Sequence, residues 1–165
     1  MSAPTDAIIP LVPYIKRNSA FKYNINVSFV SIDETVGIRL SDEAGANYGG
    51  LANGDCLIFD AAQNVPQKVS FRMEWLGYNR MYHQQINVRT SSNVSTAITV
   101  RKLAQVVAFQ FEQMKKGCIA SGHGCSIPKW AFFPYGPIQN DNVILAGIKQ
   151  VSQGTVEPIF YYRRA

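Results

Sequence analysis

Hydrophobic and polar residues alternate in FKYNINVSFV, residues 21–30, near the start of the chain. A period of two in aromatic and β-branched residues is typical of a strand with one buried face. The stretch TVGIRL, residues 35–40, continues the pattern after a short turn and is expected to pair back on the first strand. The side chains predicted to be buried are Phe21, Tyr23, Ile25, Val27, Phe29, Val36, Ile38 and Leu40.

The stretch VSFRMEWLGYNRMYHQQINVR, residues 69–89, predicts a β-hairpin. The glycine of LGYN supplies the turn, and Arg72 and Glu74 are expected to form a cross-strand charge set on the solvent face. His83 lies on the polar face of the return strand, where a structural or solvated role is expected. The opposite face is predicted to carry Val69, Phe71, Met73, Trp75, Tyr82, Gln84, Ile86 and Val88.

The hydrophobic period changes from two to three and four residues after Thr99, which predicts an amphipathic helix of about six turns. Thr99 is a suitable N-cap, and Gly117 is the expected residue just after the helix, preceded by Lys115 and Lys116. Val106 and Phe109 lie outside the main stripe, so a second surface or a partner is expected to cover them. The predicted core stripe is Val100, Leu103, Ala104, Val107, Phe111 and Met114.

Three further stretches complete the predicted architecture. CLIFD, residues 56–60, predicts a strand in which Cys56 is a small buried residue. KWAFFPYG, residues 129–136, predicts an edge strand or extended segment because of its proline, and residues 142–164 predict a last hairpin. The fold class is therefore α+β: one domain, residues 1–165, in which an antiparallel sheet of about six strands is crossed by one long helix.

The charge distribution allows three interpretations. Only 16% of the residues are charged, below the roughly 25% of ordinary soluble domains. Residues 1–60 carry four bases and seven acids, and residues 61–165 carry twelve bases and four acids. The two halves could neutralise each other within one chain or between two copies, or the basic half could meet phosphate. The bases are scattered, with no run of five or more, so nucleic acid is the least favoured partner.

The N-terminal sequence and the cysteines indicate a cytoplasmic protein. The first residues lack the basic start and uninterrupted apolar run of a secretory signal, and no stretch approaches the ~20 apolar residues of a membrane span. Cys118 and Cys125 flank His123 in CIASGHGC, but three ligands without a second pair do not predict a zinc site. A glycine-rich loop is the favoured interpretation, and a disulfide between the two cysteines would be unusual in a reducing compartment.

The hairpin and helix resemble a family of small intracellular proteins of mushroom-forming fungi. Its signature runs Phe-Arg-x-Glu-Trp-x-Gly-Tyr, then a strand ending Ile-x-x-Arg, then Ile-Thr-x-x-Lys-Leu-Ala-x-x-Val-Ala at the start of a helix. Leu76 replaces the usual proline and Tyr82 a second tryptophan. The family pattern implies no catalytic residue. The matching residues are Phe71, Arg72, Glu74, Trp75, Gly77, Tyr78, Ile86, Arg89, Ile98, Thr99, Lys102, Leu103, Ala104, Val107 and Ala108.

A pink-coloured pigment protein of oyster mushrooms is similar in size and holds a small indolone-type pigment in a dimer. This similarity implies a chromoprotein, although it supplies no binding residue. Aromatic walls with a few polar anchors are also what a planar ligand needs. The aromatic and polar residues predicted to contact such a ligand are Trp75, Tyr78, Tyr82, His83, Trp130, Phe132, Phe133 and Tyr135.

The sequence therefore predicts a non-enzymatic, homodimeric protein that binds a small aromatic molecule, with no metal. An enzyme is not favoured, since no residues lie at spacings that would build a catalytic triad or a metal site. The alternative is an interaction or regulatory protein that binds another macromolecule through its basic C-terminal half, including Arg101, Lys102, Lys115 and Lys116.

Overall fold

A hairpin of two long strands forms the centre of the sheet in the computed structural model, which describes residues 7–9, 11–12, 21–33, 35–41, 50–91 and 95–163. These strands are β6 (Val143–Ser152) and β7 (Thr155–Tyr162). A second hairpin, β4 (Lys68–Glu74) and β5 (Met81–Asn87), continues the sheet beyond β7. The three two-residue strands are β1 (Ala7–Ile8), β2 (Val27–Ser28) and β3 (Ile38–Arg39).

The strand order in the described part of the chain is β2, β6, β7, β4, β5. In addition, β3 pairs with β6 on the same side as β2, and β1 pairs with β7. One pair, β4 with β7, is parallel, with Ser70 opposite Thr155 and Phe71 opposite Val156. The predicted α+β class and the mostly antiparallel sheet are confirmed. The β4–β7 pair is parallel because the long helix between β5 and β6 carries the chain back across the sheet. Strand β7 then lies beside β4 and runs in the same direction.

The helix α1 (Val100–Ala120) lies across the sheet and buries the predicted stripe. Thr99 caps it, and its hydroxyl accepts a hydrogen bond of 3.1 Å from the Lys102 N–H. Phe111 joins it to the sheet through edge-to-face contacts with Trp75 and Phe160, at centroid distances of 5.7 and 5.5 Å. The helix does not end at Gly117 as predicted. Cys118 continues the buried stripe one turn beyond Met114, so packing carries the helix past the glycine.

Two predicted strands differ from the structure in detail. In residues 21–30 the predicted alternation of buried and exposed side chains is present from Tyr23 to Phe29, yet only Val27 and Ser28 pair as a regular strand. Val36, predicted to be buried, is 53% exposed. The following Gly37 has φ +92°, and its α-carbon faces Ile144 so closely that a β-carbon there would overlap that side chain. The backbone at Gly37, and not the Val36 side chain, therefore packs against β6.

The predicted strand at residues 56–60 is wrong, and so is the expected burial of Cys56. Cys56 is exposed, and its N–H donates to the Asn53 carbonyl in a turn. Its own carbonyl accepts from the Val100 N–H at 2.8 Å, so the segment closes the start of α1 instead of joining the sheet. A turn of this kind directs the Cys56 side chain outward, while Ile58 and Phe59 are buried.

The cross-strand charge set predicted for Arg72 and Glu74 on a solvent face is also corrected. Arg72 is paired across the sheet with Glu157 of β7 at 2.5 Å, and these side chains are only 11% and 4% exposed. The parallel register of β4 with β7 places the two residues side by side. The Arg72 guanidinium also lies 3.4 Å from the Val12 carbonyl, which is part of the N-terminal segment beside β4. The Arg72 charge is therefore satisfied by a buried ion pair with Glu157.

No helix in the described ranges is both long enough and apolar enough to cross a membrane.

Candidate functional site

A broad groove of about 680 Å³ runs between β5 and the adjacent face of α1. The sheet side is formed by residues 85–91 and the helix side by residues 102–110. Within the described part of the chain, β5 is the last strand of the sheet on this side. The groove is therefore bounded by the edge of β5, which has no strand beside it in the described chain, by residues 88–90, which pair with residues 96–98, and by the part of α1 that lies outside its buried stripe.

The groove has an apolar floor and a mostly neutral polar rim. Ile86 and Ile98 are buried at its base, Val106 packs partly against the core, and Phe109 is 60% exposed. An apolar floor with a few polar groups is what a small-molecule site offers a planar ligand. The side chains of the rim are Gln85, Asn87, Arg89, Thr90, Ser91, Lys102, Gln105 and Gln110.

Hydrogen bonds fix both ends of the groove. At one end the half-buried Tyr82 hydroxyl of β5 is paired with the Gln110 side chain of α1, and burial raises the pKa of that hydroxyl. At the other end the Arg89 guanidinium donates to the Val65 carbonyl at 2.6 Å and to the Gln63 carbonyl at 3.1 Å. Arg89 also lies 5.0 Å from the centroid of the Phe59 ring. Its charge is therefore used within the fold, whereas Lys102 is exposed on the rim.

Half of the predicted ligand-binding residues lie in the core. Trp75 and Phe132 are fully buried with rings 4.8 Å apart, and the Trp75 indole donates to the Trp130 carbonyl at 2.8 Å. Tyr78 stacks on Phe132 at 5.3 Å, and its hydroxyl accepts from the Phe132 N–H at 2.8 Å. Burial raises the pKa of the Tyr78 hydroxyl. The structure thus packs the rings of Trp75, Phe132 and Tyr78 together in the core, and Trp130 joins them through its backbone carbonyl while its ring packs on Tyr162.

The other four predicted residues are separate from one another. Tyr82 lies at the end of the groove, and His83 is exposed on the opposite face of β5, across from Arg72. Phe133 and Tyr135 are 59% and 77% exposed in the loop that follows a short 3-10 turn, Pro128–Trp130. Tyr135 borders a small cavity that also contacts Tyr78. The eight residues therefore do not line one common pocket in the described structure.

Most groove residues were missed by the sequence prediction, although two signals pointed to them. Val106 and Phe109 stand off the helical stripe, and the structure leaves Phe109 exposed. The stretch QQIN of β5 is rich in amides and free of charge, which is unusual for an edge strand. Neither signal shows that the two segments are adjacent, because that depends on how the helix crosses the sheet.

Four basic side chains of the C-terminal half make contacts with other side chains or carbonyls of the molecule. Arg101 pairs with Asp55, and Lys115 contacts Glu112 at 3.1 Å and Asn140 at 2.9 Å. With Arg72 and Arg89 these are four of the twelve bases in residues 61–165, and the basic binding surface stays a prediction. Within the described residues, no three His, Cys, Asp or Glu side chains are placed to hold a metal ion together.

Comparisons with protein-family models, with curated proteins and with solved structures found no match for this chain. The resemblance to the mushroom family therefore stays a prediction from the motif alone.

Proposed function

We propose that the protein is a non-enzymatic binder of small planar aromatic molecules, a pigment among them, and that it acts as a homodimer. The groove between β5 and α1 is the proposed binding site. The observation that carries the proposal is its composition: an apolar floor ending in the exposed Phe109 ring, with a rim of amides and hydroxyls. Its volume of about 680 Å³ lies in the range of small-molecule sites.

The kinds of side chain in the groove support binding rather than catalysis. General acid–base chemistry most often uses an imidazole or a carboxylate, and neither lines the groove. The residues that line the groove are apolar, amide, hydroxyl and basic. Neutral amides can fix the carbonyl and N–H groups of a planar ligand, and the Phe109 ring can stack on its face. A small aromatic molecule with a few polar atoms is the ligand class that this set favours.

The dimer belongs to the same proposal because the groove is open on one side. A second copy placed against β5 and Phe109 would cover the ligand and the unpaired strand edge together. The β5 sequence, MYHQQIN, contains no lysine, arginine or carboxylate. Two such edges related by a two-fold axis can therefore approach without opposing like charges.

Binding of the dye 8-anilinonaphthalene-1-sulfonate tests the groove in the folded protein. Phe109→Ser is expected to weaken dye binding about tenfold, the effect of losing about 60 Å² of apolar contact. Phe133→Ser is the matched control, because Phe133 has almost the same exposure, 59% against 60%, and does not line the groove. Equal loss of binding in the two variants would reject the groove as the site.

Native mass spectrometry and the visible spectrum of the purified protein test the natural ligand. We expect a bound small molecule that is released on denaturation, with a visible absorbance band if the ligand is a pigment. A colourless protein with no small molecule bound would contradict the pigment-binding function, whatever the dye experiment shows.

A further inference from the structure

A second, smaller cavity lies at the C-terminal end of α1 and is lined by two thiols. It encloses about 250 Å³, and Cys118 and Cys125 lie in its wall with Tyr78, Ile119 and Tyr135. Cys118 comes from the last turn of α1, and Cys125 from the glycine-rich loop that follows. Both thiols are free. The proposed ligand groove shares none of these residues, so the two cavities are independent.

The two thiols differ in their access to the cavity. Cys118 is 1% exposed, and its thiol lies 3.6 Å from the Met114 sulfur. Burial raises the pKa of Cys118 to about 11, so the thiol stays protonated at neutral pH and is a poor nucleophile. Cys125 is half-buried, and its thiol donates to the Ile127 carbonyl at 3.2 Å. Cys125 is therefore the thiol that a molecule in the cavity can reach, and Cys118 forms part of the wall.

Backbone geometry holds Cys125 in place and leaves the mouth of the cavity open. Gly77 has φ +98°, and a β-carbon there would lie 2.5 Å from the Cys125 sulfur, so only glycine leaves room for the thiol. The Gly77 carbonyl also accepts from the Ser126 N–H at 2.8 Å. At the mouth, Gly122 and Gly124 have φ +72° and +65°, and no atom lies within 4 Å of the position that a β-carbon would take at either residue.

The walls select an uncharged, aromatic molecule of one or two rings. None of the residues that line this cavity is a lysine, arginine, histidine or carboxylate, so a charged ligand would lose its hydration without gaining an ionic partner among them. Tyr78 and Tyr135 offer ring surfaces, and Ile119 offers an aliphatic one. An apolar cavity of about 150 Å³ already accommodates benzene, so 250 Å³ suits a slightly larger molecule.

We propose that Cys125 is a covalent modification site for small, uncharged aromatic electrophiles of the α,β-unsaturated carbonyl class, such as quinones and aryl maleimides. In the addition, the Cys125 sulfur bonds to the β-carbon of the C=C bond, and the π electrons of that bond move toward the carbonyl. The thiol proton is transferred through solvent to the α-carbon or, for a quinone, to the oxygen. No group leaves and no separate oxidant is consumed. The site would capture such molecules because the cavity holds the ring beside the sulfur.

The exposed Cys56 provides an internal reference for the test. The wild-type protein is treated at pH 7 with N-phenylmaleimide or with iodoacetamide, a small reagent without a ring, and labelling of each cysteine is followed by peptide mass spectrometry. The ratio of the maleimide rate to the iodoacetamide rate is expected to be about tenfold higher at Cys125 than at Cys56, as burial of about 60 Å² of ring surface would give. Cys118 is expected to remain unlabelled. An equal ratio at the two cysteines, or no labelling of Cys125, would overturn the proposal.

Two variants in the loop that carries Phe133 and Tyr135 distinguish an effect of the cavity from the general reactivity of the Cys125 thiol. Tyr135→Ala removes one ring wall at a residue that is 77% exposed, so the fold should be kept. This variant is expected to lower the ratio of the maleimide rate to the iodoacetamide rate at Cys125 toward the ratio at Cys56. The iodoacetamide rate at Cys125 should be unchanged. Phe133→Ala, at a residue outside this cavity, should leave both rates as in the wild type. An unchanged ratio in Tyr135→Ala would refute the aromatic selectivity, and this result is independent of dye binding in the groove.

Discussion

At the residue scale, Trp75 contacts the sheet, the helix and a loop, whereas the sequence pattern indicates only that it lies on the buried face of a strand. Its ring packs on Phe132, Phe111 and Phe160 at centroid distances of 4.8, 5.7 and 6.0 Å. Its N–H is satisfied by the Trp130 carbonyl, which ties β4 to the loop after α1. The tryptophan therefore joins the sheet, the helix and that loop at one point of the core.

We predict that Trp75→Ala lowers the free energy of unfolding by about 3–5 kcal/mol, the usual result of truncating a large core side chain. Trp75→Phe should lower it less, because it keeps an aromatic ring in the core and loses part of the indole contact and the hydrogen bond to Trp130. Urea unfolding followed by circular dichroism measures both values. Phe133→Ala, at a 59% exposed residue, is the control and should change stability by less than about 1 kcal/mol. A Trp75→Ala protein as stable as the wild type would contradict this role.

A second prediction at this scale concerns the buried Cys118 thiol. Burial raises its folded-state pKa to about 11 from the ordinary value of 9.0, so the folded protein binds the thiol proton more tightly than the unfolded chain. The associated stability is present below pH 9 and is lost as the pH rises toward 11. It amounts to about 3 kcal/mol over that range.

The Cys118→Ala variant isolates this contribution from that of tyrosines and lysines, which also titrate at high pH. The difference in unfolding free energy between wild type and Cys118→Ala is expected to shrink between pH 9 and 11. Urea denaturation at a series of pH values gives the difference directly. A difference that stays constant across this range would show that Cys118 ionises as easily in the folded protein as in the unfolded chain.

Residue partners were predictable only where the contact is local. The burial of Trp75 follows from its place on one face of a strand with Phe71 and Met73, and the structure confirms it. The partner of Arg72 was assigned wrongly, because Glu157 is 85 residues away in sequence and reaches Arg72 only through the pairing of β4 with β7. Periodicity defines which face of a strand is buried, but it carries no information on which strand lies beside it.

At the element scale, the helix and both long hairpins were predictable from their hydrophobic period. The predicted stripe of α1 is buried, and Thr99 is its N-cap. The C-terminal end was misplaced because Gly117 was interpreted as a stop signal. In the structure this glycine lies inside the helix, where its missing side chain accommodates the Arg80 guanidinium. Tertiary packing thus outweighs the local preference of glycine for a helix end.

The turn of the β4–β5 hairpin gives a prediction at the same scale. Gly77→Ala is expected to destabilise the protein by more than Gly122→Ala. Both glycines have positive φ, +98° and +72°, so both variants carry backbone strain of order 1 kcal/mol. Only at Gly77 would the new methyl group meet an atom, the Cys125 sulfur at 2.5 Å. Thermal unfolding of the two variants makes the comparison.

Equal losses of stability in these two glycine variants would mean that the 122–126 loop can move away from the turn. In that case the Cys125 thiol should also become more reactive toward iodoacetamide in Gly77→Ala. A larger loss in Gly77→Ala, with Cys125 still protected, would agree with a loop packed firmly on the hairpin turn through the Ser126–Gly77 hydrogen bond.

At the scale of the whole molecule, the candidate groove depends on features that sequence patterns do not encode. Its two walls, β5 and α1, are adjacent because the helix returns over the hairpin that precedes it. The strand order of the sheet is also set by long-range pairing: β2 and β3 pair with β6 more than 100 residues later in the chain. The sequence pattern predicted the helix, the two long hairpins and the position of Phe109 outside the buried stripe, but not which surfaces these elements form together.

The surface formed by β5 and Phe109 allows a prediction of the oligomeric state of the protein. In a monomer, the Phe109 ring and the uncharged β5 edge would both remain in contact with water. Soluble monomers usually protect such an edge with lysine, proline or a bulge, yet the β4–β5 register runs without interruption from residue 68 to 74. We expect two copies to meet antiparallel across a two-fold axis at this surface. The charge pairing predicted between the acidic 1–60 segment of one copy and the basic remainder of the other does not follow from this contact, because β2 and β3 pair with β6 at the opposite edge of the sheet from β5. Four of the seven acids of that segment, Asp6, Glu34, Asp42 and Glu43, lie outside the described residues.

Sedimentation at micromolar concentration is expected to give twice the chain mass of 18.3 kDa. Phe109→Lys should shift the protein to the monomer, because a two-fold axis would bring the two introduced charges close together in an interface that excludes water. Phe133→Lys, at an equally exposed phenylalanine outside the groove, should remain dimeric. A wild-type protein that sediments as a monomer and stays so on concentration would rule out the dimer, and the opposite charges of the two halves would then be neutralised within one chain. If both lysine variants remain dimeric, the copies meet elsewhere, and the groove must bind its ligand without the second copy.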